Sequence, residues 1–199
     1  MSAYSVFKAI LKYPFRLLYR IKIEGKENEP EGAYIICANH SSFVDPILIT
    51  SSLRQNQRWL AKRELTKNPF MKLVFRITNA IPINRQGLDT PALHECIDSV
   101  KAGTSIGIFP QGTRMRRVEP QPEQALPGLS LIACISKATI LPISIVTKRR
   151  QPGIFRKTRI VIGKPISYEE YSSKVDRSDK KALASYLFGK VCEVFKENG

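Results

Sequence analysis

The sequence has few of the residues on which redox, metal and disulfide chemistry depend. Its four cysteines stand far apart, with no C-x-x-C pair and no cysteine–histidine pair at metal-ligand spacing. This absence argues against a zinc site and a disulfide framework, and it favours a reducing compartment. We interpret Cys37, Cys96 and Cys134, which stand in apolar or helical contexts, as small buried hydrophobic side chains.

Long uncharged runs are also missing. The longest, Gly32–Val44 and Gln124–Ser136, have 13 residues each, whereas a helix that spans a membrane needs about 20. Lys8 and Lys12 interrupt the apolar stretch near the start of the chain that a signal peptide would require. The sequence therefore predicts neither a transmembrane helix nor a signal peptide.

Acidic residues are scarce relative to basic ones. The 17 Asp and Glu residues face 32 Lys and Arg residues, which gives a net charge of +15. Arg54–Arg85 has eight basic residues and one acid, and Ile140–Lys164 has seven and none, whereas Glu169–Gly199 has six of each. This segregation predicts a positive face for an anionic partner, namely a phospholipid surface, a phosphate-rich substrate or nucleic acid. The alternative is a solvated surface that only aids solubility.

The first segment, Ala3–Ile23, combines bulky apolar residues with Lys8, Lys12, Arg16 and Arg20, which recur every four residues. On a helix this spacing produces a basic stripe beside an apolar face. We expect Pro14 to kink the helix or to divide it in two. Two interpretations stay open for residues 1–22: a basic helix that associates with a membrane interface, or a helix that packs on the core and has a solvated basic edge.

The 199 residues have the composition of a globular protein, with 43% hydrophobic and 25% charged residues, which excludes intrinsic disorder. Apolar runs alternate with amphipathic stretches, as in β–α–β units. The predicted strands are Ala33–Ala38, Arg58–Ala61, Ala80–Ile83, Ser105–Phe109, Thr139–Val146 and Arg159–Ile162. The predicted helices are Pro46–Leu53, Leu65–Ile77, Pro91–Ala102, Glu123–Lys137 and Ser178–Phe195. Together they predict a single α/β domain over residues 1–199, with a largely parallel central sheet flanked by helices and a catalytic body at 23–199.

Only two histidines are present, and their contexts differ. His94 stands inside a predicted helix and is interpreted as structural or surface-exposed. His40 follows the apolar strand Ala33–Ala38, where open α/β sheets usually bind ligands, and a histidine there is suited to act as a general base. Asp45 is expected to orient the imidazole if a turn brings the two side chains together. The alternative is that Asp45 only caps the helix that Pro46 begins.

Three further motifs lie at predicted strands. Two of them, Ile81–Arg85 and Phe109–Arg114, run from the end of a strand into the loop that follows, and the third, Leu141–Ile145, lies inside a strand. Since the carboxyl ends of parallel strands meet at one edge of a sheet, we expect these loops to converge near His40. Arg85 and Arg114 would then offer fork-shaped donors suited to phosphate. Surface solvation is the alternative for both.

These motifs resemble those of the glycerolipid acyltransferase family, of which 1-acylglycerol-3-phosphate acyltransferase is the commonest member. The family shows N-H-x-S-x-x-D, an I-P-V-x-R strand end, F-P-E-G-T-R and a V-P-V strand, in that order. Here the four motifs are Asn39–Asp45, Ile81–Arg85, Phe109–Arg114 and Leu141–Ile145, and Leu60–Leu65 is similar to the family's A-K-x-E-L segment. The resemblance covers roughly residues 20–165.

The resemblance implies an enzyme that moves an acyl chain from acyl-CoA or an acidic acyl-carrier protein to the free hydroxyl of 1-acylglycerol-3-phosphate, giving phosphatidic acid. It implies His40 as general base, Asp45 as the residue that orients it, and no metal or cofactor. The substrate-binding residues that it implies are Asn39, Ser42, Arg85, Gln111, Gly112, Thr113 and Arg114. It also implies a peripheral or monotopic protein on the cytoplasmic face of a membrane, with an anionic phospholipid surface and a lysophospholipid as partners and no nucleic acid.

Gln111 departs from the family, which has Glu at this position. The amide lacks the carboxylate charge and adds a hydrogen-bond donor, so another lysolipid acceptor, such as a lyso-ornithine lipid, is an alternative. A further alternative is a non-catalytic basic protein that binds a membrane surface or nucleic acid.

Overall fold

A computed structural model describes residues 2–84, 87 and 89–199 of the chain. The helices are α1 (Ala3–Leu18), α2 (Asp45–Ser52), α3 (Pro69–Thr78), α4 (Thr90–Lys101), α5 (Gly128–Ser136), α6 (Tyr168–Lys174) and α7 (Lys180–Asn198). The strands are β1 (Ile21–Glu24), β2 (Tyr34–Ala38), β3 (Arg58–Lys62), β4 (Ile81–Ile83), β5 (Ile106–Ile108), β6 (Thr139–Val146) and β7 (Thr158–Ile162). Short 3₁₀ turns at Arg63–Lys67 and Pro122–Gln124 precede α3 and α5.

The seven strands form one sheet in the order β1-β7-β6-β2-β5-β3-β4. The strands from β6 to β4 in this order are parallel to their neighbours, whereas β6 and β7 pair antiparallel. β1 is parallel to β7, so both run opposite to the other five. The predicted α/β fold with a largely parallel sheet is confirmed.

Helices cover both faces of the sheet, and β2 at its centre is buried on both sides. Alternate residues of this strand point to opposite faces: Ile35 and Cys37 belong to an apolar cluster with α4, α5 and α7, whereas Tyr34, Ile36 and Ala38 belong to a second cluster with α2. A strand that is buried on both faces needs apolar residues at every position, which explains the uninterrupted run in the sequence. The complete burial of Cys37 raises the pKa of its thiol well above the usual value.

Several predicted boundaries were wrong because tertiary contacts moved them. The predicted first helix ends at Leu18, since Arg20 adopts a left-handed conformation (φ 43°) and the chain then pairs with β7 as β1, a strand that the sequence analysis did not predict. A division at residue 22 would therefore cut through β1. Pro14 does not divide α1, which is continuous through it. Two other predicted helices, Leu65–Ile77 and Glu123–Lys137, begin later than expected: α3 begins at Pro69, since proline favours the first helical position, and α5 begins at Gly128 after its N-cap Pro127.

The orientation of α1 was also unexpected, because two of its cations, Lys8 and Arg16, point toward the protein. Lys8 Nζ donates to the backbone oxygens of Arg54 (3.0 Å) and Gln55 (2.5 Å), and the Arg16 guanidinium donates to that of Ser51 (2.6 and 3.1 Å). These carbonyls lie at and just beyond the end of α2, where backbone oxygens lack helical partners. Burial lowers the pKa of Lys8 to about 8.

The outward face of α1 is instead apolar. Val6, Ile10, Tyr13 and Leu17, which are spaced by three or four residues and so form one stripe, are exposed by 43%, 65%, 72% and 78%. The interpretation of α1 as a core helix with a solvated basic edge does not fit this arrangement. A helix with an exposed apolar stripe fits an interfacial helix.

Candidate active site

The candidate site lies at the carboxyl edge of the parallel strands. β2 lies between β6 and β5 in the sheet, so the segments that follow these three strands leave the sheet side by side. The segment after β2 contains His40 and Asp45, and the segment after β5 contains Phe109–Arg114. The predicted convergence of these two motifs is confirmed by direct contacts between them.

The two predicted catalytic side chains are in contact. His40 Nδ1 lies 2.8 Å from Asp45 Oδ2, and the carboxylate is fully buried whereas 11% of the imidazole is exposed. Since an ionised carboxylate only accepts hydrogen bonds, the proton of a neutral imidazole resides on Nδ1. Nε2 is then left as the basic nitrogen.

The turn that carries these two residues is held by the same carboxylate oxygen. Because it contains the two predicted catalytic side chains, residues 39–45 are here called the catalytic turn. Oδ2 of Asp45 also accepts hydrogen bonds from the backbone N–H groups of Ser41 and Ser42, both at 2.7 Å. Asp45 is the first residue of α2, whose N-cap is Val44, so its carboxylate binds the turn that precedes the helix and does not cap the helix amides. The helix-capping alternative was therefore wrong in its detail. Asp45 both folds the turn and orients the imidazole.

The imidazole is also supported from its ring face. Phe109 stacks on His40 with ring centroids 4.1 Å apart, and Trp59 stacks on Phe109 at 4.8 Å. Trp59 Nε1 donates to the Thr50 hydroxyl at 2.9 Å, which fixes the indole. Gly107 allows this packing, because a Cβ at that position would lie 2.4 Å from the indole.

Gln111 connects the second motif to the catalytic turn. Its Oε1 accepts from the backbone N–H of His40 at 2.7 Å, and its Nε2 donates to Gln124 Oε1 at 2.6 Å. Gln124 Oε1 also accepts from the N–H of Gln121 at 3.2 Å. Because Gln111 is 5% exposed and bonded to the protein at both ends of its amide, it positions the His40 backbone. The geometry offers no support for the predicted contact between Gln111 and substrate.

Two further features fix the path of this second loop around the turn. The backbone N–H of Met115 donates to the carbonyl oxygen of His40 at 2.8 Å. Gly112 has φ +67°, a conformation that favours glycine, and a Cβ there would lie 2.5 Å from Leu126 Cδ1. The backbone conformation at position 112 and the nearby Leu126 side chain therefore require glycine. The contact of Gly112 with substrate remains a prediction.

An apolar cavity of about 310 Å³ opens beside the catalytic turn. Phe109 and Gly112 belong to its wall, whereas His40 and Asp45 do not, and Phe109 is the residue that lines the cavity and also stacks on His40. The rest of the wall comes mainly from the ends of β3, β4 and β5 and from the start of α5. A cavity of this composition suits a hydrocarbon chain.

The buried carboxylate of Asp45 affects its surroundings. The pKa of Tyr19 is raised, first by burial and then by the negative charge of Asp45. Among the residues that the structure describes, Asp45 Oδ1 has no hydrogen-bond partner, and no three His, Cys, Asp or Glu side chains are grouped as metal ligands.

The other predicted site residues lie in different surroundings. Asn39 is 5% exposed, and its amide donates to and accepts from the backbone of Ile145 at 3.1 and 2.7 Å, which joins the end of β2 to β6. A contact between Asn39 and substrate would have to replace these bonds. Ser42 is half-buried in the turn, and its predicted contact with substrate also remains a prediction.

The predicted phosphate ligands lie toward solvent where they are described. Thr113 and Arg114 are exposed, and the Arg114 guanidinium lies 6.0 Å from the centre of the Phe43 ring. Arg85 lies outside the described residues. The exposed guanidinium of Arg114 is available to a ligand that approaches the catalytic turn.

Sequence reasoning missed three residues that support the site. Trp59 stands in a strand that gave no functional signal, and Phe109 was only part of a motif. Gln124 is 13 residues from its partner Gln111, and no spacing rule connects them. An aromatic residue in β3 opposite a glycine in β5 is the one pattern that would have indicated the stack.

Three comparisons with known proteins agree with this fold and identify the family. The acyltransferase family model matches residues 20–146. The chain therefore belongs to the acyltransferase family and is an enzyme of acyl transfer.

Individual relatives agree with this assignment. The chain is 26% identical over 188 residues to a 1-acyl-sn-glycerol-3-phosphate acyltransferase of Bacillus subtilis, with 92% of each chain covered. It is 29% identical over 182 residues to the chloroplastic 1-acyl-sn-glycerol-3-phosphate acyltransferase BAT2 of Brassica napus. This alignment covers 86% of this chain and 50% of the relative. The crystal structure of the 1-acyl-sn-glycerophosphate acyltransferase PlsC from Thermotoga maritima superposes with a TM-score of 0.70 at 25% identity, covering 96% of this chain and 79% of that one.

None of the helices in the described parts of the chain combines the length and the apolar character needed to cross a membrane.

Proposed function

We propose that this enzyme transfers a fatty acyl chain from an acyl thioester to the free hydroxyl of 1-acylglycerol-3-phosphate, giving phosphatidic acid. The observation that carries the proposal is the contact between His40 Nδ1 and Asp45 Oδ2 beside an apolar cavity. The relatives named for this reaction in Bacillus subtilis and Brassica napus support the acceptor. No cofactor is required, and the donor is acyl-CoA or an acyl-carrier protein.

His40 acts as the general base in this mechanism. The acceptor hydroxyl attacks the thioester carbonyl carbon while its proton passes to Nε2 of His40. Asp45 holds the imidazole orientation and stabilises the imidazolium that forms. Collapse of the tetrahedral intermediate breaks the C–S bond, and the proton on the imidazolium is available to the departing thiolate. The acceptor alcohol attacks directly, so no acyl-enzyme intermediate is needed.

The surroundings of His40 suggest where the substrates bind. An acyl chain in the apolar cavity would place its thioester near the imidazole, because Phe109 contacts both. The acceptor phosphate would bind Arg114, which is exposed beside the turn, and Arg85 is a second proposed ligand. Positioning of this kind makes the attack effectively intramolecular.

The membrane supplies the acceptor in this proposal. Lysophospholipids reside in bilayers, and the exposed apolar stripe of α1 (Val6, Ile10, Tyr13 and Leu17) suits insertion at the interface. Lys8 and Arg16 are bonded to the protein and are not available for this contact, whereas Lys12 lies over the ring of Tyr13 in the stripe. We propose a peripheral or monotopic enzyme on the cytoplasmic face of the membrane.

The alternative acceptor rested on Gln111, and the geometry weakens that reason. The Gln111 amide is bonded to the His40 backbone and to the Gln124 side chain. The presence of Gln here, where the family has Glu, is therefore better explained by the bond to Gln124 than by the headgroup of the acceptor. Lysophosphatidate therefore remains the favoured acceptor.

The test is an acyl-transfer assay with labelled acyl-CoA and acyl-carrier protein against a panel of lysolipids, using His94→Ala, an exposed histidine of α4, as a matched control. We expect labelled phosphatidic acid from lysophosphatidate, normal turnover in the control, and turnover lowered by about 10²- to 10⁴-fold in His40→Ala. Turnover only with a phosphate-free lysolipid would contradict the proposed acceptor.

A further inference from the structure

We propose that the loops that flank the catalytic turn form a second membrane-docking surface, which binds anionic phospholipid and brings the mouth of the site to the bilayer. This surface, here called the basic rim, consists of residues 114–119 after β5 and residues 147–157 after β6. The inference extends the membrane part of the proposed function and does not depend on which acceptor is used.

Charge is the first observation behind the basic rim. Its eight cations are all exposed: Arg114, Arg116, Arg117, Lys148, Arg149, Arg150, Arg156 and Lys157. The only acid in these two segments is Glu119, which pairs with Arg150 at 3.0 Å. A single acceptor phosphate needs one or two of these cations, so the remainder indicate an extended anionic partner.

The place of the rim in the fold is the second observation. β6 and β5 lie on either side of β2, and both are parallel to it. The two basic loops therefore leave the same edge of the sheet as the His40 turn, one on each side. A planar anionic surface that binds both loops would face the catalytic turn.

Exposed apolar side chains at the rim favour a lipid surface over other anions. Val118, Ile154 and Phe155 are exposed by 48%, 57% and 70% among the cations. Phe155 has φ +60°, which is strained for a bulky residue, and its N–H donates to the Leu18 carbonyl at 2.6 Å. This bond fixes the tip of the β6–β7 loop at the end of α1, next to Leu17 of the exposed apolar stripe.

The combination of cations with inserted apolar groups matches the requirements of an anionic bilayer. Cations near such a surface each contribute through its negative potential, and apolar side chains gain by leaving water. An acidic carrier protein would also bind the cations, but it gives no reason to expose a phenylalanine and an isoleucine at the loop tip. We therefore assign the rim to the membrane.

The experiment measures binding of the full chain to phosphatidylcholine vesicles, with and without phosphatidylglycerol, by sedimentation. Arg149→Gln/Arg156→Gln removes two rim cations, and Lys101→Gln/Lys174→Gln removes two exposed cations from α4 and α6 as a matched control. At roughly 5-fold per charge, loss of the two rim charges should weaken binding to anionic vesicles by about 25-fold, with little effect on binding to neutral ones. The control should lose much less.

The apolar contribution is tested separately. Phe155→Ser should weaken binding to both kinds of vesicle by about 10-fold, whereas Ile135→Ser on α5, which is 53% exposed on the opposite face of the sheet, should not. Melting curves of all variants should match that of the wild type. Equal losses in rim and control variants, or no loss in the rim variants, would overturn the proposal.

Activity separates the possible causes. On a short-chain acceptor below its critical micelle concentration, the rim variants should retain wild-type kcat/KM. Loss of carrier-protein-dependent turnover with unchanged vesicle binding would make the rim a carrier-protein surface and overturn the inference. Vesicle binding as described here, in a wild-type protein that forms no phosphatidic acid, would leave the inference standing and refute the proposed function.

Discussion

The catalytic turn at residues 39–45 and the basic rim lie side by side on one edge of the sheet, but they are built in opposite ways. In the turn, buried side chains hold one another: Asp45 Oδ2 accepts three hydrogen bonds, and the His40 backbone is bonded to Gln111 and Met115. In the rim, eight exposed cations stand around three exposed apolar side chains.

The difference follows from what each region has to do. Proton transfer requires a fixed geometry, because a base contributes only within hydrogen-bond distance of its substrate. Attraction to an anionic surface depends on the sum of charges and is screened by salt. Substitution of His40 or Asp45 should therefore lower kcat strongly at any ionic strength, whereas substitutions in the rim should have smaller, additive and salt-dependent effects on membrane binding.

The largest effect is expected from His40→Ala. Loss of the general base should lower kcat by about 10²- to 10⁴-fold, with little change in the melting temperature because the side chain is at the edge of the core. Steady-state kinetics and thermal melting of the same preparation measure both. A collapsed melting transition would instead mark His40 as a structural residue.

The second-largest loss of kcat is expected from Asp45→Asn. The amide oxygen can accept the same three hydrogen bonds, but it carries no charge to stabilise an imidazolium, and its NH₂ group would take the place of a buried Oδ1 that lacks a partner among the described residues. We expect kcat to fall by at least about 10²-fold. Asp98→Asn, a residue of α4 away from the turn, is a suitable control. Near-normal turnover would show that Asp45 only folds the turn.

A smaller effect is expected from the Gln111–Gln124 pair. In Gln111→Glu a carboxylate oxygen would face Gln124 Oε1 at the present 2.6 Å, so the pair would have to rearrange. Gln124→Met removes the same acceptor without altering position 111. Both should lower kcat by about 10-fold, or roughly 1.4 kcal/mol, with little change in KM for the acceptor.

The acceptor panel separates this role from substrate binding. If Gln111→Glu alters kcat/KM for one lysolipid and not for another, while Gln124→Met is silent, position 111 contacts the acceptor. In that case the interpretation of Gln111 as a positioning residue fails.

The smallest effect should come from Arg114→Ala. Its exposed guanidinium is expected to bind the acceptor phosphate, and its loss should raise KM for a phosphate-bearing acceptor by about 5- to 10-fold without changing kcat. Arg117→Ala, from the same loop, should be silent with a short-chain soluble acceptor. A larger KM for the acyl donor alone would assign Arg114 to the CoA phosphates or to the carrier protein.

Much of the site was predictable because its signals are local in the sequence. His40 and Asp45 are five residues apart, and a short turn after a buried strand is enough to join them. The parallel sheet followed from alternating strand and helix patterns, which in turn predicted that the Phe109–Arg114 loop lies next to His40. One of the two basic loops of the rim, residues 147–157, was visible as charge segregation within Ile140–Lys164, whereas residues 114–119 were not part of either basic block.

What the sequence did not indicate depends on contacts between distant segments. The direction of α1 is an example: its periodicity predicted two faces but not which one packs inward. Lys8 and Arg16 donate to carbonyl oxygens at and just beyond the end of α2, so this side of the helix faces inward and the apolar stripe lies outside. β1 was missed because its four residues are strand only by pairing with β7.

The sequence by itself determined the α/β class, the order of the four motifs and the pairing of His40 with Asp45, since each depends on local periodicity or on neighbours within a few residues. Only the tertiary structure decided that Gln111, held by Gln124, supports the His40 backbone, and that Phe155 lies beside α1. These contacts join residues far apart in the chain, and they form because backbone and side-chain polar groups that leave water need partners within the protein.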